Sequence, residues 1–144
     1  MKKEITRKEV LVLFKGLTAV TSLQGAKFAH AVVKNIDRLR PLAIEISREA
    51  QPPQKFWEYQ DKYNDIIKKY SDKKKDVDKK VVEAEIIKLN KKYESVLKEA
   101  DEKQKKVEKY LEEKVEVFLY MLPITCFPEN IDGSKLEPIQ AIIE

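Results

Sequence analysis

From Glu83 to Lys114 the apolar residues Ile86, Leu89, Tyr93, Val96, Ala100, Val107 and Tyr110 recur at three-four spacing among Lys and Glu. That period places one narrow apolar strip along a helix and leaves its other faces to water. Such a strip can be buried only against another helix, so the spacing predicts one long helix over 79–113 forming one arm of an antiparallel pair. The composition agrees: 38% of the residues are charged and only 3 of 144 are glycine, the profile of long helices rather than of a sandwich or barrel. The expected class is mainly α, a helical hairpin or coiled-coil stalk with a small base formed by both ends of the sequence.

At 144 residues the chain has the length of a single domain, 1–144, with a modest core. Thr6-Arg7-Lys8-Glu9 reads as a capping box opening a helix over 7–20, with Val10, Leu13, Phe14 and Leu17 on one face. Ser22 reads as the N-cap of a second helix, 23–50. Its seam is Ala29, Val32, Ile36, Leu39, Ala43, Ile46 and Ala50. Pro41 keeps this seam in phase and predicts a kinked but continuous helix, whereas Pro52-Pro53 is a full stop. A third helix over 53–70 carries Phe56, Tyr59, Tyr63, Ile66 and Tyr70. The tract 71–78, with one apolar residue after Tyr70, reads as a hairpin tip.

Beyond the long helix, Val115, Val117, Leu119 and Met121 alternate with Glu116, Phe118, Tyr120 and Leu122, predicting a strand over 115–122. Its partner is either Lys2 to Ile5 or another subunit. Asp132-Gly133 is a turn, and Ser134 to Glu137 opens a short helix over 134–143. One side of the strand, with Phe118, Tyr120 and Leu122, is expected to stay exposed in a monomer. At least a dimer is therefore expected.

The net charge of +4 is unevenly spread: residues 1–50 carry +5, 51–114 carry +3, and 115–144 carry −4. Mixed-sign charge of this size argues against nucleic acid as the partner and leaves room for a small anion site. One cysteine, Cys126, forms no internal disulfide and fits a reducing, cytoplasmic setting. No apolar run is long enough for a membrane span, and no signal-peptide pattern is present.

Catalytic and metal-binding patterns are missing. His30 is the sole histidine, and there is no HExxH, CxxC, GxGxxG or phosphate-binding loop, so neither enzyme chemistry nor a cofactor is expected. One constellation remains. Lys27, His30, Lys34 and Arg38 are spaced three, four and four on the second helix, with Asn35 and Arg40 nearby. This basic stripe predicts an anion site, charge coming from Lys and Arg and directional hydrogen bonds from His and Asn. The competing reading is a solvated helix face. Trp57 lies off the third helix's seam, which points to an interface or pocket, and Trp57 or Tyr59 could stack on a base; an aromatic row at this spacing also fits plain core packing.

The segment Lys27 to Asn35, then Pro52 to Tyr59, then a Val-Glu-Val strand, a Pro turn and a final Ile/Leu helix together resemble a group of small uncharacterised proteins of tailed bacteriophages. That resemblance implies a viral origin, a setting in an infected bacterium and no settled activity. Two functions are carried forward as expectations. One is an oligomeric, non-enzymatic binder holding a host factor or a small anionic, nucleotide-like signal, as an anti-defence protein would. The other is a structural or assembly component acting through its coiled coil.

Overall fold

A computed structural model describes residues 1–71 and 79–144. The chain is mainly helical with, among the described residues, one two-stranded antiparallel sheet: β1 (Lys2–Thr6), α1 (Arg7–Ala19), α2 (Ala26–Glu49), α3 (Gln54–Ser71), α4 (Lys79–Lys92), α5 (Glu94–Glu112) and β2 (Lys114–Phe118). A 3-10 turn at Ile124–Cys126, the short α6 (Gly133–Leu136) and a 3-10 segment Glu137–Ile142 follow. The chain divides into two compact units, Met1–Ala50 with Glu108–Glu144, and Gln51–Val107.

In the first unit α1 begins where the capping box places it, the Thr6 hydroxyl accepting from the Glu9 amide at 3.1 Å. The Glu9 carboxylate accepts a hydrogen bond from the Thr6 hydroxyl (3.2 Å) in place of one from the Thr6 amide. The α2 helix runs through Pro41 without a break, as its unbroken seam predicts. It starts three residues later than expected. Gly25, not Ser22, is its N-cap, at a φ of 120° that an L side chain rarely adopts. The predicted seam is buried at Val32, Ile36, Leu39, Ala43 and Ile46, and Phe28, Ala31 and Asn35 widen it.

The partner of β2 is β1, so the strand pairs within the chain, Lys2 opposite Phe118 through Thr6 opposite Lys114. It is shorter than 115–122. Leu119 still exchanges hydrogen bonds with Met1 (3.0 Å each); past it the chain leaves the ladder, and Leu122 instead bridges to Ile143 in parallel. Leu122 is consequently buried, while Phe118 and Tyr120 stay exposed as expected. The C-terminal helix over 134–143 is replaced by α6 and the 3-10 segment, because Pro138 enters where an α-helical amide would be needed. This segment packs on α1: a Cβ at Gly16 would lie 2.6 Å from Pro138 Cβ and 3.0 Å from Ile139 Cγ2. Arg7 fastens the C-terminal end of α5 to α1 by donating to the Tyr110 carbonyl (3.2 Å), lying 4.0 Å over the Tyr110 ring and pairing with Glu113. A cation at that end also meets the negative pole of the helix.

In the second unit α3 and α4 pack as an antiparallel pair, with Tyr59 bonded to Asn90, Lys62 to Tyr93 and Lys69 near Glu85. The expected helix over 79–113 is interrupted at Tyr93 alone. Hydrogen bonds from Tyr93 N to Leu89 O (3.1 Å) and Leu97 N to Tyr93 O (2.9 Å) carry the turn across the interruption. The expected hairpin tip lies outside the described residues except for Ser71, the last residue of α3.

Candidate functional site

The α2 periodicity that buries Leu39 and Val32 leaves Lys27, His30, Lys34 and Arg38 exposed along one line. Among the described residues none of the four forms an ion pair. Helical spacing puts Pro41 and Glu45 next on the same line, which ends the stripe. Two residues assigned to this site belong elsewhere. Arg40 is exposed but sits two positions beyond Arg38, roughly 200° further round the helix. Asn35 is fully buried: its Nδ2 donates to Tyr120 O (2.9 Å) and its Oδ1 accepts from Tyr120 N (2.7 Å). Its amide serves the backbone of the chain itself rather than a ligand.

That bond pair brings residues to the stripe that linear spacing does not reveal. The Tyr120 ring meets the His30 ring edge-on at 5.5 Å between centroids. Two residues earlier Phe118 is exposed, and Lys2 from β1 lies 5.3 Å from its ring while pairing with Glu116 at 3.1 Å. Between α2 and β2 lies a groove of about 430 Å³, lined by Arg38, Leu39 and Leu42 from the helix and Glu116, Val117 and Phe118 from the strand. The face thus combines free cations, two exposed aromatic rings and an apolar floor. Period-two alternation puts Phe118 and Tyr120 on one side of the strand, but nothing in the sequence places Tyr120 beside His30, 90 residues away, or Phe118 on the groove with Arg38, 80 residues away.

The aromatic set of α3 sits in the other unit and has a packing role. Tyr59 is half-buried, bonds Asn90 Oδ1 at 2.6 Å and packs against the rings of Phe56, Tyr63 and Tyr93. Burial is the main cause that raises its pKa above 10.0, with Tyr63 adding to it. Trp57 touches Phe56 edge-on and is otherwise exposed, lining none of the grooves described here. Among the described residues no group of three His, Cys, Asp or Glu side chains is arranged to hold a metal ion, and no helix is long and apolar enough to cross a membrane.

No protein-family model, curated protein or solved structure matches this chain.

Proposed function

We propose that this chain is a non-enzymatic binding protein that holds a negatively charged partner on the face shared by α2 and β2. The observation that carries the reading is the line of Lys27, His30, Lys34 and Arg38, exposed and without ion pairs among the described residues, beside the exposed rings of Phe118 and Tyr120. Unpaired cations next to aromatic surface favour an anion that carries a flat or apolar portion, as a nucleotide or an acidic peptide does. A setting in a phage-infected cell, with a host factor or nucleotide signal as the anion, suits this reading but is not required by it. The protein acts as at least a dimer: Trp57, Ile67, Val81 and Ile87 are exposed on the α3–α4 pair, which shares a single seam.

A melting-temperature screen against pyrophosphate and mono-, di- and cyclic nucleotides tests the anionic reading. A ligand at a hundredfold excess over its Kd stabilises by about 2.7 kcal/mol, a shift of several degrees for a chain of this size. The shift should vanish in Lys34→Glu and Arg38→Glu. Light scattering at ~10 µM tests the dimer, and a monomer there removes it.

A further inference from the structure

The ladder between β1 and β2 shows which backbone groups of β2 are spent. Leu119 N donates to Met1 O at 3.0 Å, and Arg7 N donates to Glu113 O at 3.1 Å. With Lys3 opposite Val117 and Ile5 opposite Val115, the odd-numbered residues of β2 therefore turn their N–H and C=O groups toward β1. The even-numbered residues turn theirs outward. At Tyr120 both outward groups are taken by the Asn35 amide, in the two-bond pattern that a residue of a neighbouring strand would make. At Glu116 and Phe118 no group among the described residues takes them. These free groups border the groove whose opposite wall is Arg38, Leu39 and Leu42.

We infer that the groove between α2 and β2 takes an extended acidic peptide, which adds as a third strand along Glu116 and Phe118 and stops at Asn35. This deepens the anionic reading above and rests on it. An added strand gains main-chain hydrogen bonds from the free edge and sets alternate side chains to opposite sides. Inward ones meet Leu39 and Leu42; outward ones reach Arg38 and, one turn back, Lys34. The charge of Glu116 is already met by Lys2. A second copy of the chain fits less well, because its own β2 carries Lys114 and Glu116 and so brings no net negative charge, and it would have to bring its own α2 as well.

The test uses fluorescein-labelled octapeptides that alternate Glu with Val, Thr or Ile, read by anisotropy against the full chain, with Lys-for-Glu counterparts as controls. The Glu peptides should bind and the Lys peptides should not. Phe118→Pro removes the ring together with an outward N–H and takes no N–H from the β1 ladder, whereas Phe118→Ala removes the ring alone and keeps the N–H, so the difference between the two reads the N–H. Proline should weaken the Glu peptides about tenfold or more, and alanine far less, about threefold at most. Equal losses in the two variants overturn strand addition. Should Phe118→Pro fail to fold, slowed hydrogen exchange at the Glu116 and Phe118 amides of the unaltered chain on adding peptide supplies the same readout, and unchanged exchange overturns the inference. If the Glu peptides do not bind at ~1 mM while pyrophosphate or a nucleotide still shifts melting through Lys34 and Arg38, strand addition falls and the anionic reading stands. If neither binds, both fall. A dimer that Phe118→Pro dissociates would show a second copy on the edge and overturn the peptide.

Discussion

In the unit of residues 1–50 and 108–144, Val10, Leu17, Phe28, Ile46, Leu119 and Ile142 have no measurable exposure, whereas α3 in the 51–107 unit has no buried residue and α4 has one, Leu89. Both units are built from amphipathic helices, so the difference does not lie in helix quality. It lies in how many elements converge. In the first, α1, α2, the sheet and the C-terminal segment each cover a side of the same apolar cluster. In the second, α3 and α4 share one seam, each covering only the strip that faces the other, and the part of α5 up to Val107 has no buried residue. Stability should therefore come from apolar burial in one unit and in larger part from aromatic rims and hydrogen bonds in the other.

The largest test of that contrast is a pair of truncations. Phe28→Ala removes a fully buried ring packed 5.1 Å from Phe127 and should cost about 3–5 kcal/mol in urea unfolding. Ile66→Ala, at a half-buried position of α3, should cost about 1 kcal/mol, because much of its surface is already in water. Equal costs would break the comparison.

Next in size is Asn35. Asn35→Leu leaves the Tyr120 N–H and C=O without their partner and should cost about 1–3 kcal/mol; Asn35→Asp should not rescue it, because a carboxylate oxygen would then face the Tyr120 carbonyl. Gly16→Ala comes close behind. Its Cβ would meet Pro138 at 2.6 Å, and relieving that contact means moving the C-terminal segment off α1, at about 1–3 kcal/mol. Both losses belong to the closed unit, and no substitution of one polar group in the helix pair should match them.

The same contrast explains how much could be read in advance. Helix existence, the α2 seam and the phase of the Leu89–Tyr93 strip follow from spacing, because a helix face is a local property of the chain. The break at Tyr93, the end of β2 at Phe118 and the burial of Leu122 are set by partners far along the chain, and no local pattern announces them. The candidate site divides likewise. Lys27, His30, Lys34 and Arg38 are legible because i, i+3 and i+4 residues share a helix face. Asn35 shows the limit of spacing: at roughly 60–140° round the helix from the four stripe residues a polar side chain can belong to either face, and only the presence of Tyr120 decides it. Arg40 is close to Arg38 in sequence and shares its charge, yet two positions on a helix turn it to another side. Trp57 and Tyr59 separate as the seam predicts, because two positions on a helix turn them to different sides: Trp57 off the seam is exposed and Tyr59 on it is packed.

Smaller still is Tyr59→Phe, which deletes the 2.6 Å bond to Asn90 at the rim of the helix pair. Because the site is half-buried and water can replace the partner, the expected cost is about 0.5–1.5 kcal/mol, again by urea unfolding. A much larger value would mean that the polar rim, rather than the Leu89 seam, organises the pair.

Alkaline pH gives the subtlest separation, since the groups with raised pKa values all belong to the 51–107 unit. Tyr59 is raised above 10.0 by burial and then by Tyr63; Tyr70 by burial and then by its bond to Glu85; Lys62 above 10.5 chiefly by its bond to the Tyr93 hydroxyl, 2.7 Å away. For each, the folded chain keeps a proton at a pH where the unfolded chain has released it. The contribution is therefore complete below the unfolded value and fades as pH rises through the folded one. As pH rises above ~10 the helix pair should loosen while the closed unit holds, seen as shifting and broadening of the Ile66 and Ile86 methyl resonances ahead of Ile139 and Ile142. Simultaneous change in all four would mean that the two units unfold as one, and the contrast in burial would then describe their packing but not their stability.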